Sequence, residues 1–139
     1  MKDYFNITMS DAEVRPMSNL ALAHVGDAVY ELMVRAWVAM QGLSGSNAGL
    51  HAETVKLVSA PAQAEAAYRI LPTLTDEERA VYKRGRNAHV SSVPHRATIE
   101  QYHAATGLEA LFGYLYLKGR TERLNALFAM ITEERHDAS

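Results

Sequence analysis

Asn19-Leu-Ala-Leu-Ala-His-Val-Gly-Asp-Ala-Val-Tyr-Glu31 is apolar nearly all round, yet it carries an aspartate. At about 100° per residue, Leu20, Ala23, Tyr30, Val34 and Val38 fall on the same helical face as Asp27. A second stretch has the same character: Ala105-Thr-Gly-Leu-Glu-Ala-Leu-Phe-Gly-Tyr-Leu-Tyr-Leu117. There Tyr102, Ala105, Phe112 and Tyr116 share a face with Glu109. An ionised carboxylate on a buried face is costly unless it is paired, hydrogen-bonded or metal-bound. Two of them, on helices able to pack together, suggest that the acids at 27 and 109 reach one point and share a cation. Small residues at Gly26 and Gly113 would let the two backbones come close.

Working outward, Ser18 or Asn19 caps a helix through Gln41, and Gly42 ends it. Its apolar perimeter predicts a central, buried element. Residues 1–17 read as an irregular, loosely docked lead-in. Leu43–Gly49 is a loop, and a second helix covers Ala48–Val58. Ser59 caps a third over Ala60–Leu71, with Pro61 in its first turn. Thr75-Asp-Glu-Glu78 is a capping box that opens a fourth helix over Asp76–Asn87. His89–Arg96 is a loop. A fifth helix runs from Ala97 or Thr98 to Leu117, stopped by Gly119. Thr121 caps the last, Glu122–Arg135, and 136–139 reads as a frayed tail. No strand with alternating polarity and no repeat occurs, so the expected fold is all-α, with residues 1–139 forming one domain.

Composition narrows the function classes. The chain has 139 residues, 48% of them hydrophobic, which suits one globular core. It contains no cysteine, which excludes disulfides, thiolate metal sites and a cysteine nucleophile. The N-terminus lacks the pattern of a secretion signal, and no run reaches the about 18 apolar residues of a membrane span. A cytoplasmic protein without a membrane partner is expected. The net charge of −2 points to no polyanion overall, so charge has to be read locally. Arg79, Lys83, Arg84, Arg86 and Arg96 lie in a stretch free of acids, Arg79 to Ile99, and His89 and His95 add conditional charge. Such a strip suits a nucleic-acid backbone. Taken as a single cluster it better suits a solvated helix end whose cations complement the helix dipole, a reading that weakens because an acidic site is expected elsewhere in the same domain.

For Asp27 and Glu109 the functional reading is Mg²⁺ ligation, since hard cations take oxygen ligands together with substrate phosphate. The competing reading is a pair satisfied by backbone N–H groups, tyrosine hydroxyls or arginine, and spacing leaves the two about even. Glu31, one turn after Asp27, is either a further ligand or an ion-paired surface group. His24, His51 and His103 lack metal-ligand spacing. Trp37, Tyr102, Tyr114 and Tyr116 read as core or interface.

These motifs together resemble the ribonuclease III family. Leu22-Ala-His-Val-Gly-Asp-Ala-Val-Tyr-Glu31 resembles its signature segment, and Leu108–Leu117 its second acidic segment. Val58-Ser-Ala60, Gln63-Ala64 and Lys83-Arg-Gly-Arg-Asn-Ala88 resemble the family's short form, which has no double-stranded-RNA-binding domain. The resemblance implies a ribonuclease III-like helical fold, a homodimer and Mg²⁺-dependent cleavage of double-stranded RNA. The expected substrate is the stem of the 23S ribosomal RNA precursor. It assigns Asp27 and Glu109 as catalytic and metal-binding, and Lys83, Arg84, Arg86 and Asn87 as RNA-binding. Longer members carry further acids where this chain has Ala23 and Thr106. A non-catalytic member that binds structured RNA in ribosome assembly is the alternative. A magnesium-dependent nucleotide pyrophosphohydrolase is a second, but its repeated Glu-x-x-Glu pairs are missing here.

Overall fold

The computed structural model describes residues 1–42, 47–88 and 97–137, and only the backbone of 47 and 134–137. Its helices are α1 (Asp11–Val14), α2 (Asn19–Met40), α3 (Asn47–Val58), α4 (Ala60–Ile70), α5 (Asp76–Arg86), α6 (Ile99–Leu117) and α7 (Thr121–Asp137). A 3₁₀ turn, Leu71–Thr73, joins α4 to α5. No strand occurs among the described residues, in line with the all-α expectation.

Local chemistry sets the boundaries. Ser18, Ser59, Thr75 and Thr98 each accept a hydrogen bond from a backbone N–H of the first turn they cap. Thr75/Glu78 and Thr98/Gln101 complete reciprocal capping boxes. Gly42 and Gly119 follow the ends of α2 and α6 in the left-handed region, φ 71° and 74°. α7 begins at Thr121 itself and continues to Asp137, past the expected end at Arg135. The loop predicted at His89–Arg96, with His89, His95 and Arg96, lies outside the described residues.

Two expectations are corrected. The lead-in is irregular only over residues 1–10, whose first six residues are exposed; from Ser10 on it is ordered, because Ser10 and Glu13 form a capping box that starts α1. The segment is also tied down at its side: Met9 N–H donates to the Leu117 carbonyl at 2.7 Å, and Lys118 pairs with Asp11. Its apolar Ile7, Met9, Val14 and Met17 pack on the core. The central helix is α6, not α2. Ala104 to Leu108 and Ala110 to Leu115 of α6 are all buried, and α2, α4, α5 and α7 surround it. On α2 only one side faces this core; Leu32 remains 57% and Met40 83% exposed.

The α2–α6 packing fixes the site. A Cβ on Gly26 would lie 1.6 Å from the Glu109 carbonyl oxygen, and one on Gly113 would lie 2.0 Å from that of Leu22. The two helices therefore touch backbone to backbone, as the glycines suggested. One turn on, Tyr30 meets Phe112 edge-on at 5.2 Å and Phe128 at 6.1 Å, sealing the crossing on its inner side. Elsewhere Glu78, 2% exposed, takes two hydrogen bonds from Arg123, at 2.8 and 2.9 Å, which lock α5 to α7.

Candidate active site

At the crossing, the buried line of α2 runs through Leu22, Gly26, Tyr30, Val34 and Val38. Asp27 stands one residue, about 100°, off that line. It is consequently exposed, which corrects its expected place on the buried face. Leu20, 46% exposed, shares this departure. Glu109 lies on the core side and is only partly accessible. Because Gly26 brings α2 against the backbone of residue 109, the two carboxyl groups come within hydrogen-bonding reach of one another.

That arrangement changes the chemistry of Glu109. Burial pushes its carboxyl up to about 8, and the hydrogen bond to Asp27 and the charge of Asp27 push in the same direction. The Gln63 amide, reaching in from α4, favours the ionised form and opposes them. The cation-free pair therefore holds a proton at neutral pH. A pair that carries a proton for want of positive charge is one that a divalent cation fits, since the cation can take the proton's place.

The positions where longer members carry acids are dry. Ala23 and Thr106 are buried, and the Thr106 hydroxyl donates to the Tyr102 carbonyl of its own helix at 3.0 Å. Glu31 pairs with Arg35 at 3.7 Å in an exposed contact of adjacent turns. Among the described residues no third Asp, Glu or His joins the pair to make a three-ligand cluster. Gln63, singled out in the sequence only as part of the Gln63-Ala64 likeness and given no role there, is the polar neighbour of Glu109. Its sequence signal was its place one turn after the Ser59 cap, in an otherwise alanine-rich helix.

Lys83, Arg84, Arg86 and Asn87 are all exposed on the last turn and C-cap of α5. Gly85 beds this turn against Thr106, Gly107 and Ala110, in the same reach of α6 that carries Glu109. The strip is not a flat surface. Arg84 lines a cavity of about 370 Å³ with Asp11, Arg15, Glu77 and Tyr114. Arg86 turns the other way, 5.9 Å over the Tyr82 ring, beside a cavity of about 470 Å³ that also holds Asn87 and His103. His24 and His51 are exposed, and neither joins a three-ligand group among the described residues; Trp37 and Tyr116 are half-buried against the core, and Tyr114 is buried.

Fold and site together define an all-helical domain built around a paired-acid centre at a glycine-mediated crossing. A family model, the ribonuclease III domain, matches residues 20–120, which include both acids and the basic turn. The chain belongs to the ribonuclease III family. It is 44% identical over 117 residues to Mini-ribonuclease 3 of Thermoanaerobacter sp. (strain X514), covering 84% of this chain and 82% of that one. It is 34% identical over 140 residues to Mini-ribonuclease 3 of Clostridium tetani, covering 100% and 93%. The crystal structure of a Fusobacterium nucleatum protein superposes with a TM-score of 0.80 at 27% identity, covering 88% of this chain and 97% of that one. No helix among the described residues is long and apolar enough to cross a membrane.

Proposed function

We propose that this chain is a Mg²⁺-dependent endoribonuclease that cuts double-stranded RNA and matures the ends of 23S ribosomal RNA precursors. The single observation that carries the reading is the meeting of Asp27 and Glu109 at the α2–α6 backbone contact, where burial and the neighbouring Asp27 push the Glu109 carboxyl up to about 8. Membership of the ribonuclease III family and likeness to Mini-ribonuclease 3 chains support the substrate class. Residues 1–139 act as one catalytic domain in the cytoplasm.

Asp27 and Glu109 are the catalytic and metal-binding residues. Their donor set, two carboxylate oxygens open to solvent on the Asp27 side, suits a hard cation that also takes phosphate. A divalent cation held there would supply a Lewis acid that activates water and offsets the charge developing on the scissile phosphate, giving 5′-phosphate products. Asp27, on the exposed side, would hold the cation where a phosphate can reach it from solvent. Glu109, on the buried side, would hold the cation as a carboxylate, its proton passing to solvent. Lys83, Arg84, Arg86 and Asn87 bind the RNA backbone by shape and charge, because the deep groove of A-form RNA hides its base edges. The splayed guanidinium groups of Arg84 and Arg86 suit phosphates on two sides of a curved duplex. The uncovered apolar side of α2, with Leu32 and Met40, supports a homodimer that would set two centres against the two strands.

The test is incubation of the purified protein with a labelled RNA duplex, single-stranded RNA and nucleoside triphosphates, each with and without Mg²⁺. Duplex cleavage only with Mg²⁺ is expected. An intact duplex that is nevertheless bound would favour the non-catalytic reading, for which the buried Ala23 and Thr106 are the specific observation.

A further inference from the structure

Gln63 is 4% exposed, and its Oε1 is the single buried side-chain oxygen or nitrogen without a hydrogen-bond partner among the described residues. We propose that Gln63 is a positioning residue of the acid centre: its amide holds the Glu109 carboxyl in place, and its free Oε1 accepts a hydrogen bond from water in the hydration shell of the bound cation. This inference rests on the proposed cation-dependent function and adds a third element to the two-acid site.

The geometry restricts what else the residue can do. Gln63 sits in the first turn of α4, held by the Ser59 cap and Pro61. Its Nε2 donates to the Val58 carbonyl at 3.0 Å, one of the carbonyls left open at the end of α3. That contact fixes the orientation of the carboxamide, because a flipped amide would set two carbonyl oxygens face to face. Nε2 has a second hydrogen, and the amide faces Glu109 across the α4–α6 contact. A purely structural role accounts for Nε2 and leaves Oε1 unexplained. Leu or Met would fill the same space without stranding an acceptor, and buried polar groups are nearly always satisfied. Glu109 and Asp27 offer Oε1 no partner when both are ionised, since carboxylates only accept. Water is the remaining donor, and Mg²⁺ keeps several waters when it binds through one or two carboxylates. Groups placed in this way orient ligating side chains and tune the affinity of the centre.

Gln63→Met keeps the volume and removes both polar atoms. The probe is Mn²⁺, titrated into the full chain without RNA by calorimetry and by electron paramagnetic resonance, with circular dichroism as the folding control. Affinity of Gln63→Met for Mn²⁺ is expected to fall roughly 10- to 100-fold. Unchanged affinity in a folded Gln63→Met, with the parent binding Mn²⁺, overturns the positioning role and leaves the proposed function standing. A parent that takes up no Mn²⁺ overturns both. The parent itself supplies a second measurement, needed if Gln63→Met does not fold. The ¹⁵N-labelled side-chain amide of Gln63 should shift along the Mg²⁺ binding curve, and an amide that stays still while Mg²⁺ binds overturns the inference.

Discussion

Replacing Gly26 by alanine tests the core of the structural argument with one methyl group. Its Cβ would stand 1.6 Å from the Glu109 carbonyl oxygen and 2.7 Å from the Gly113 nitrogen. Carbon–oxygen contacts settle near 3.3 Å or more, so α2 and α6 must part by about 1.7 Å. Both obstructing atoms are backbone, so no side chain can rotate out of the way. Overpacking of this sort costs about 1–3 kcal/mol, and a backbone clash belongs at the upper end. For a chain of this length, ~3 kcal/mol corresponds to a fall in Tm of roughly 10 °C. The shift also carries Asp27 away from Glu109, and a displacement of about 1 Å at a reacting centre can cost 10²-fold in rate. Thermal melts and Mg²⁺-dependent duplex cleavage, run side by side, measure the two effects. Gly42→Ala is the control. Gly42 has φ 71° but nothing within 4 Å, so alanine there should cost only about 1 kcal/mol and leave cleavage unchanged. A Gly26→Ala protein that melts with the parent and cuts at the parental rate would refute the backbone-contact account of the site.

Asp27→Asn should abolish cleavage while leaving duplex binding intact in a gel-shift assay; full activity with Mg²⁺ rejects the assignment. Glu109 gives a pH test in the cation-free protein. Its folded pKa is raised from about 4.5 to about 8, so its contribution to stability is complete below pH 4.5 and is lost as pH rises through 8. Melts in a chelator should therefore show Tm falling across that window, and Glu109→Gln should flatten the fall; an identical slope in both proteins removes the buried pair. Arg84→Ala and Arg86→Ala should each lower the slope of log affinity against log salt by about 1 for an RNA duplex, and a slope that does not move takes that residue off the interface. Arg123→Ala strands the buried Glu78 carboxylate. Burial would raise that group's pKa, but Arg123 and the Thr75 N–H hold it below the ordinary value. Losing the guanidinium should cost about 3–5 kcal/mol in denaturant unfolding at pH 7, and a loss under 1 kcal/mol would mean the pair is not dry.

Features that depend on near neighbours were legible in the order of residues alone. The Ser18, Ser59, Thr75 and Thr98 caps, and the glycines past α2 and α6, place helix ends within a residue or two, because capping is settled inside one turn. Gly26 and Gly113 on the acid-bearing helices announced a close crossing, since only a missing side chain allows one. Features that depend on distant partners emerged only when the helices packed. The apolar perimeter of α2 suggested burial, but α6 occupies the centre and one side of α2 stays open. Periodicity shows which residues share a face and not what covers it. The docking of α1 required the Leu117 carbonyl and Lys118, far along the chain. The same limit holds at the site. Residue type and spacing singled out Asp27 and Glu109. Only the packing of α2, α4 and α6 turned Asp27 toward solvent, buried Glu109 enough to raise it to about 8, and brought the Gln63 amide to Glu109 while leaving its Oε1 without a partner. Desolvation is a property of the whole surrounding shell, and that shell exists only once the helices have met.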